Sequence, residues 1–151
     1  MKNLYIIMLF PTLMFGQVKQ VNTVLYNDVV DSSKSRSSLG LEIEEAINFH
    51  NTIRSYQLNT LLEYDQSLSM SAKQWAENII KTGEFEFDPK IPEIGENLYR
   101  GEILDSDFIV NYNPYLDAVT YWATNRKGDG VSFENMTLSD FSKIGMGVAY
   151  G

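Results

Sequence analysis

The residue most able to do chemistry is Glu96, in the run Gly95-Glu96-Asn97-Leu98-Tyr99. The run reads as a loop. Glycine lets the backbone turn without a Cβ penalty, asparagine bonds local backbone, and Leu98 and Tyr99 can reach a core. Glu96 then sits at the edge of that core, where a carboxylate needs partners or must shift its pKa upward. Those partners decide between metal and acid–base chemistry, and the supply is small: no cysteine and one histidine, His50. Thiolate metal sites, disulfides and cysteine nucleophiles are excluded, as is a zinc site needing two or three imidazoles. A Ser-His-Asp triad could only use His50 as its base. His50 stands one helical turn from Ala46 and Arg54, and the simplest reading is a packed histidine at a helix–loop contact.

The 151 residues fit one domain. A net charge of -8 argues against nucleic acid, which asks for a basic patch, and against anionic lipid surfaces. Met1 to Gly16 reads as a secretory signal: Lys2 is a minimal positive region, and Leu4 to Met14 is apolar apart from Pro11 and Thr12. Gly16 is the expected cleavage point, the alternative being a buried N-terminal strand or helix. The run is short of the roughly 20 residues that span a bilayer. No membrane span is expected after cleavage. Residues 17–40, which end serine-rich, read as a flexible leader, and 41–151 as the domain.

Leu41 to about Tyr56 has helical period, with Ile43, Ala46, Ile47, Ile53 and Tyr56 on one face. Asp65 is a good N-cap for a second helix with the stripe Leu68, Ala72, Trp75, Ala76 and Ile79, and Gly83 stands just past its end. Glu84 to Asp88 alternates in period two. A proline-bearing loop with Pro89 and Pro92 leads to Glu96, and a polar insertion, Glu102 to Tyr115, follows. A third helix runs from about Pro114 to Asn125, with Leu116, Val119 and Trp122 on one side. Lys127 to Gly130 reads as a turn. Ile144 to Tyr150 reads as a strand whose glycines admit a close neighbour.

Five segments in this order resemble the CAP superfamily, the family of sperm-coating protein, antigen 5 and pathogenesis-related 1. They are Phe49-His50-Asn51-Thr52-Ile53-Arg54, Leu62-Glu63-Tyr64-Asp65 with the Trp75-Ala76 helix, Gly95 to Tyr99, Ala118-Val119-Thr120-Tyr121-Trp122, and Lys143 to Ala149. The resemblance implies an α+β fold, a three-layer α-β-α sandwich. It also implies a cleft with two histidines and two glutamates. Glu96 matches the first glutamate. Phe87 and Ser132 stand where the histidines belong, and Asn125 where the second glutamate does. Three of four cleft positions thus lack the family residue, and Glu134 is only a neighbour of the aligned Ser132. Glu96, Asn125 and Ser132 offer one charge and two weak oxygens, a poor set for zinc, and no glutamate pair for acid–base catalysis. The expected role of Glu96 is to accept hydrogen bonds from backbone N–H groups, Asn125 or Ser132. The family also continues past the Gly-x-Gly-x-Ala strand into a further strand, whereas here Tyr150-Gly151 follows, so an exposed sheet edge is expected.

No catalytic residue, metal or cofactor is expected. The resemblance implies a secreted, extracellular, non-enzymatic binding module for a lipid or sterol. The alternative is an interaction or immune-modulating effector acting on a host or cell-surface protein through the Glu102–Tyr115 insertion. A metal-dependent hydrolase using Glu96 ranks last. Asn135-Met136-Thr137 is the one glycosylation sequon.

Overall fold

The computed structural model describes residues 2–11, 40–91, 94–103, 112–125 and 131–151. The expected leader beyond Pro11, the turn at Lys127–Gly130, Pro92 and the middle of the 102–115 insertion lie outside these residues. The chain folds as β1 (Lys2–Pro11), α1 (Leu41–Tyr56), β2 (Glu63–Tyr64), α2 (Gln66–Thr82), β3 (Ile94–Ile103), α3 (Pro114–Thr124), α4 (Val131–Thr137) and β4 (Lys143–Tyr150). One four-stranded sheet, in the order β2-β4-β1-β3, carries helices on both faces. This is the α-β-α sandwich.

Strand alternation divides the core in two. Leu4 and Ile6 of β1, with Ile144 and Met146 of β4, pack with Ala46 and Ile47 of α1 and Ala118, Val119 and Trp122 of α3. Tyr5, Ile7 and Leu9 face the other way, onto Ala72, Ala76 and Ile79 of α2. The apolar run assigned by sequence to a secretory leader therefore contains β1. It pairs antiparallel with β3 from Lys2↔Ile103 to Pro11↔Ile94, and with β4 from Leu4↔Tyr150 to Leu9↔Gly145.

Local signals set the helices. Asp65 Oδ1 accepts the Leu68 N–H at 3.0 Å, and Gly83 closes α2 in the left-handed region at φ 78°. Asn113 Oδ1 caps α3 through the Leu116 N–H at 3.1 Å, with Pro114 in its first turn. The stripe of α2 differs in detail from expectation: Ser69 is buried, whereas Leu68 and Trp75 are only partly so. The α2 helix lies directly on β4. A Cβ on Gly145 would overlap Leu68 and Ser69, and one on Gly147 the backbone of Ala72 and Lys73.

Two expectations are corrected. Gly95 to Tyr99 is not a loop but part of β3, because Phe10 to Ile6 of β1 pair with it residue by residue. Glu84 to Asp88, despite its alternation, belongs to neither helix nor strand, and Phe85 and Phe87 are exposed. No strand pairs with it among the described residues, and its anchor is Trp75 Nε1–H donating to Glu86 O at 2.9 Å. The expected sheet edge falls on β4, where β2 covers only Lys143 and Ile144.

Candidate functional site

Glu96 lies in β3 with its side chain 6% exposed. Alternation puts it on the same face as Leu98, which packs toward α2. Its Oε2 accepts the Asp88 N–H at 2.8 Å, from the segment that follows α2. Its Oε1 is buried without a hydrogen-bond partner among the described residues. Burial pushes the Glu96 carboxyl up to about 7; the Asp88 N–H acts against this, and the Asp88 charge adds to it. The expected backbone donor is present; among the described residues no hydrogen bond to the carboxylate from Asn125 or Ser132 is seen.

The other cleft positions are dispersed. Phe87 is exposed on the chain just before Asp88. Asn125 is exposed at the C-terminus of α3, its N–H bonded to Tyr121 O. Ser132 is buried in α4, a short helix that the sequence reading did not foresee, and its carbonyl accepts Asn97 Nδ2–H at 2.8 Å. Asn97 lies on the β3 face opposite Glu96, so the sheet itself separates Glu96 from the Ser132 contact. Asn135 Nδ2 donates to Glu96 O at 3.2 Å and to Asn97 Oδ1 at 3.0 Å. The nitrogen that a glycan would take is thus bonded to β3. Trp122 Nε1–H donates to Leu98 O at 3.1 Å, so α3 and α4 cover the outer edge of β3. Among the described residues, no three acidic or histidine side chains cluster as metal ligands would.

The helix α1 motif is structural. His50 is fully buried, and its Nε2 donates to Met136 O at 2.9 Å. Burial lowers its imidazole to about 3. Asn51 closes on Leu62 from both sides, with Nδ2 donating to the carbonyl at 3.0 Å and Oδ1 accepting the N–H at 2.8 Å. Arg54, also fully buried, donates from Nε to Thr60 O at 2.7 Å, from one terminal nitrogen to Met136 O and Leu138 O, both at 2.9 Å, and from the other to Phe141 O at 3.0 Å. Burial lowers its pKa to about 10, so it stays charged at neutral pH.

A family model described as the cysteine-rich secretory protein family, CAP, matches residues 47–151. The chain belongs to the CAP family. It does so without a cysteine, and the motif residues His50, Asn51 and Arg54 that carry the resemblance act here as fasteners of the fold. Neither curated proteins nor solved structures gave a match. No helix among the described residues is long and apolar enough to cross a membrane.

A concavity of the CAP domain lies elsewhere among the described residues. A groove of about 640 Å³ runs beside β4 between α2 and the α1/α3 layer. Ile43, Met70, Ile80, Tyr115 and Val148 give it apolar walls, and Lys73 and Glu77 stand among its polar residues. None of Phe87, Glu96, Asn125 and Ser132 lines it. Sequence reasoning missed this groove because its walls come from five elements spread along the chain. The legible trace was β4 itself, a strand with one edge that β2 covers over only two residues.

Proposed function

We infer that this CAP-family protein is a secreted, non-enzymatic binding module for an apolar molecule, a lipid or a sterol, held in the groove beside β4. The groove carries this reading: its volume is in the range of small-molecule sites, and its walls are aliphatic and aromatic with a few polar groups. Each buried CH₂ of an acyl chain is worth about 0.8 kcal/mol there, with no metal required. The chemistry left at the family cleft supports the non-enzymatic part. Among the described residues Glu96 has a main-chain donor and the neighbouring Asp88 carboxylate, but no imidazole to share a proton-transfer task. Extracellular location is supported by family habit and by the leader-like pattern of residues 1–16.

Titration of the exported protein with a fluorescent fatty acid and a fluorescent sterol tests the reading. Met70 is largely exposed on the groove wall, so Met70→Lys should leave the fold intact and weaken binding about tenfold, or ~1.4 kcal/mol. Absence of saturable binding of either probe, or binding that Met70→Lys leaves unchanged, would remove the groove from the account.

A further inference from the structure

The groove beside β4 has a hydrogen-bonding floor as well as apolar walls. The even-numbered residues of β4 turn main-chain groups away from β1: Ile144 O accepts the Asp65 N–H at 2.8 Å, and Met146 N–H donates to Ser69 Oγ at 3.0 Å. In an antiparallel ladder this direction alternates residue by residue. Val148, opposite Ile6 of β1, therefore points its N–H and C=O the same way. β2 has stopped by then, since it pairs only with Lys143 and Ile144, and no other strand of the described residues joins that edge. Val148 is half-buried and lines the groove. A main-chain donor and acceptor thus face a largely apolar space, where leaving them unpaired is costly. α2 stands directly beside them, because a Cβ on Gly147 would overlap the backbone of Lys73. Lys73 is the one cation among the residues lining the groove. Its ion pair with Glu77, at 3.9 Å between exposed side chains, is weak.

A sterol offers this floor a single hydroxyl, and the carboxylate of a fatty acid offers acceptors only. One amino-acid unit presents a donor and an acceptor on the same side, as each member of a hydrogen-bonded strand pair does. We propose that the ligand of the groove is an N-acylated amino acid. Its amide N–H donates to Val148 O, and its carboxylate accepts the Val148 N–H and pairs with the Lys73 ammonium. Its acyl chain lies against Ile43, Met70, Ile80 and Tyr115. A single unit fits better than a longer peptide, because Met146 N–H is already taken by Ser69 and Tyr150 is exposed. The ligand class rests on the groove being a lipid site, as under Proposed function, and narrows it.

Calorimetric titration of the full chain with ligands of one acyl length, each below its micelle-forming concentration, tests this class. N-lauroylglycine should bind at least about tenfold tighter than laurate, the effect of an added buried hydrogen bond. N-lauroylsarcosine, the same molecule with a methyl on the amide nitrogen, should fall back to the affinity of laurate. Lys73→Gln should weaken N-lauroylglycine about threefold, as for a half-exposed ion pair, and leave the uncharged N-lauroylglycinamide unchanged. Laurate or N-lauroylsarcosine binding as tightly as N-lauroylglycine, or Lys73→Gln binding N-lauroylglycine as before, overturns the N-acyl amino acid while the lipid site stands. Binding of none of these ligands, or binding that Met70→Lys leaves unchanged, removes the lipid site and this ligand together.

Discussion

At Glu96 and His50, burial acts on two titrating groups in opposite directions. The Glu96 carboxyl, held up at about 7 against an ordinary 4.5, keeps a proton that the unfolded chain releases. Its contribution to stability is fully present below about pH 4.5 and is lost as pH rises through 7. The His50 imidazole, held at about 3, refuses a proton that the unfolded chain takes up below 6.5, so its contribution is lost as pH falls from 6.5 toward 3. Between these limits the two trends offset one another. Glu96→Gln should be near neutral at pH 5 and stabilise by up to about 3 kcal/mol at pH 8, as read by urea unfolding at both pH values. An equal effect at the two pH values would mean that burial does not hold the carboxyl up. Asn135 carries a second expectation at this scale: with its Nδ2 bonded to β3, protein exported from eukaryotic cells should show an intact mass without glycan.

At the scale of elements, α1 is fastened to the loops around it and α2 is pressed onto β4. Arg54 satisfies four carbonyls with one side chain. Removing it takes a charged donor from each of these carbonyls, of which Met136 O keeps the His50 Nε2–H, and a lost bond of this kind costs about 1–3 kcal/mol. Arg54→Met should therefore lower stability by at least about 3 kcal/mol in urea unfolding, and a loss near 1 would show that water or neighbouring groups replace the guanidinium. The glycines separate two kinds of cost. At Gly83, a Cβ meets nothing within 4 Å, and only the left-handed φ resists substitution, so Gly83→Ala should cost about 1 kcal/mol. At Gly147 the backbone of α2 occupies the space. Gly147→Ala must separate helix from strand and should cost at least about 2 kcal/mol, a difference readable in thermal midpoints of the two variants.

At the scale of the whole molecule, the cleft expected from the family and the concavity that the chain builds are different places. The residues that would have made a metal or acid–base cleft are split by the sheet and by exposure. The groove beside β4 exists because β2 pairs with only two residues of that strand. Ligand binding should therefore follow groove substitutions such as Met70→Lys and ignore Asn125→Ala, which alters an exposed helix end outside the groove. The same fluorescent titration checks both, and sensitivity to Asn125 alone would move the site back to the family cleft.

The sequence by itself determined what depends on neighbours within a few residues: the extents of three helices and most, though not all, of their packed faces (Tyr56 is exposed), the Asp65 and Gly83 caps, and the close approach at Gly145 and Gly147. The ordered motifs added the family and the sandwich. The tertiary structure decided what depends on distant partners. It placed the apolar N-terminal run as β1, because only β3 and β4, far along the chain, can satisfy its backbone on both sides. It turned Gly95–Tyr99 from a loop into a strand for the same reason. It also gave Glu96 the Asp88 N–H, a main-chain donor that no side-chain motif announces. A helix writes its period locally, whereas a strand is defined by the edge it meets.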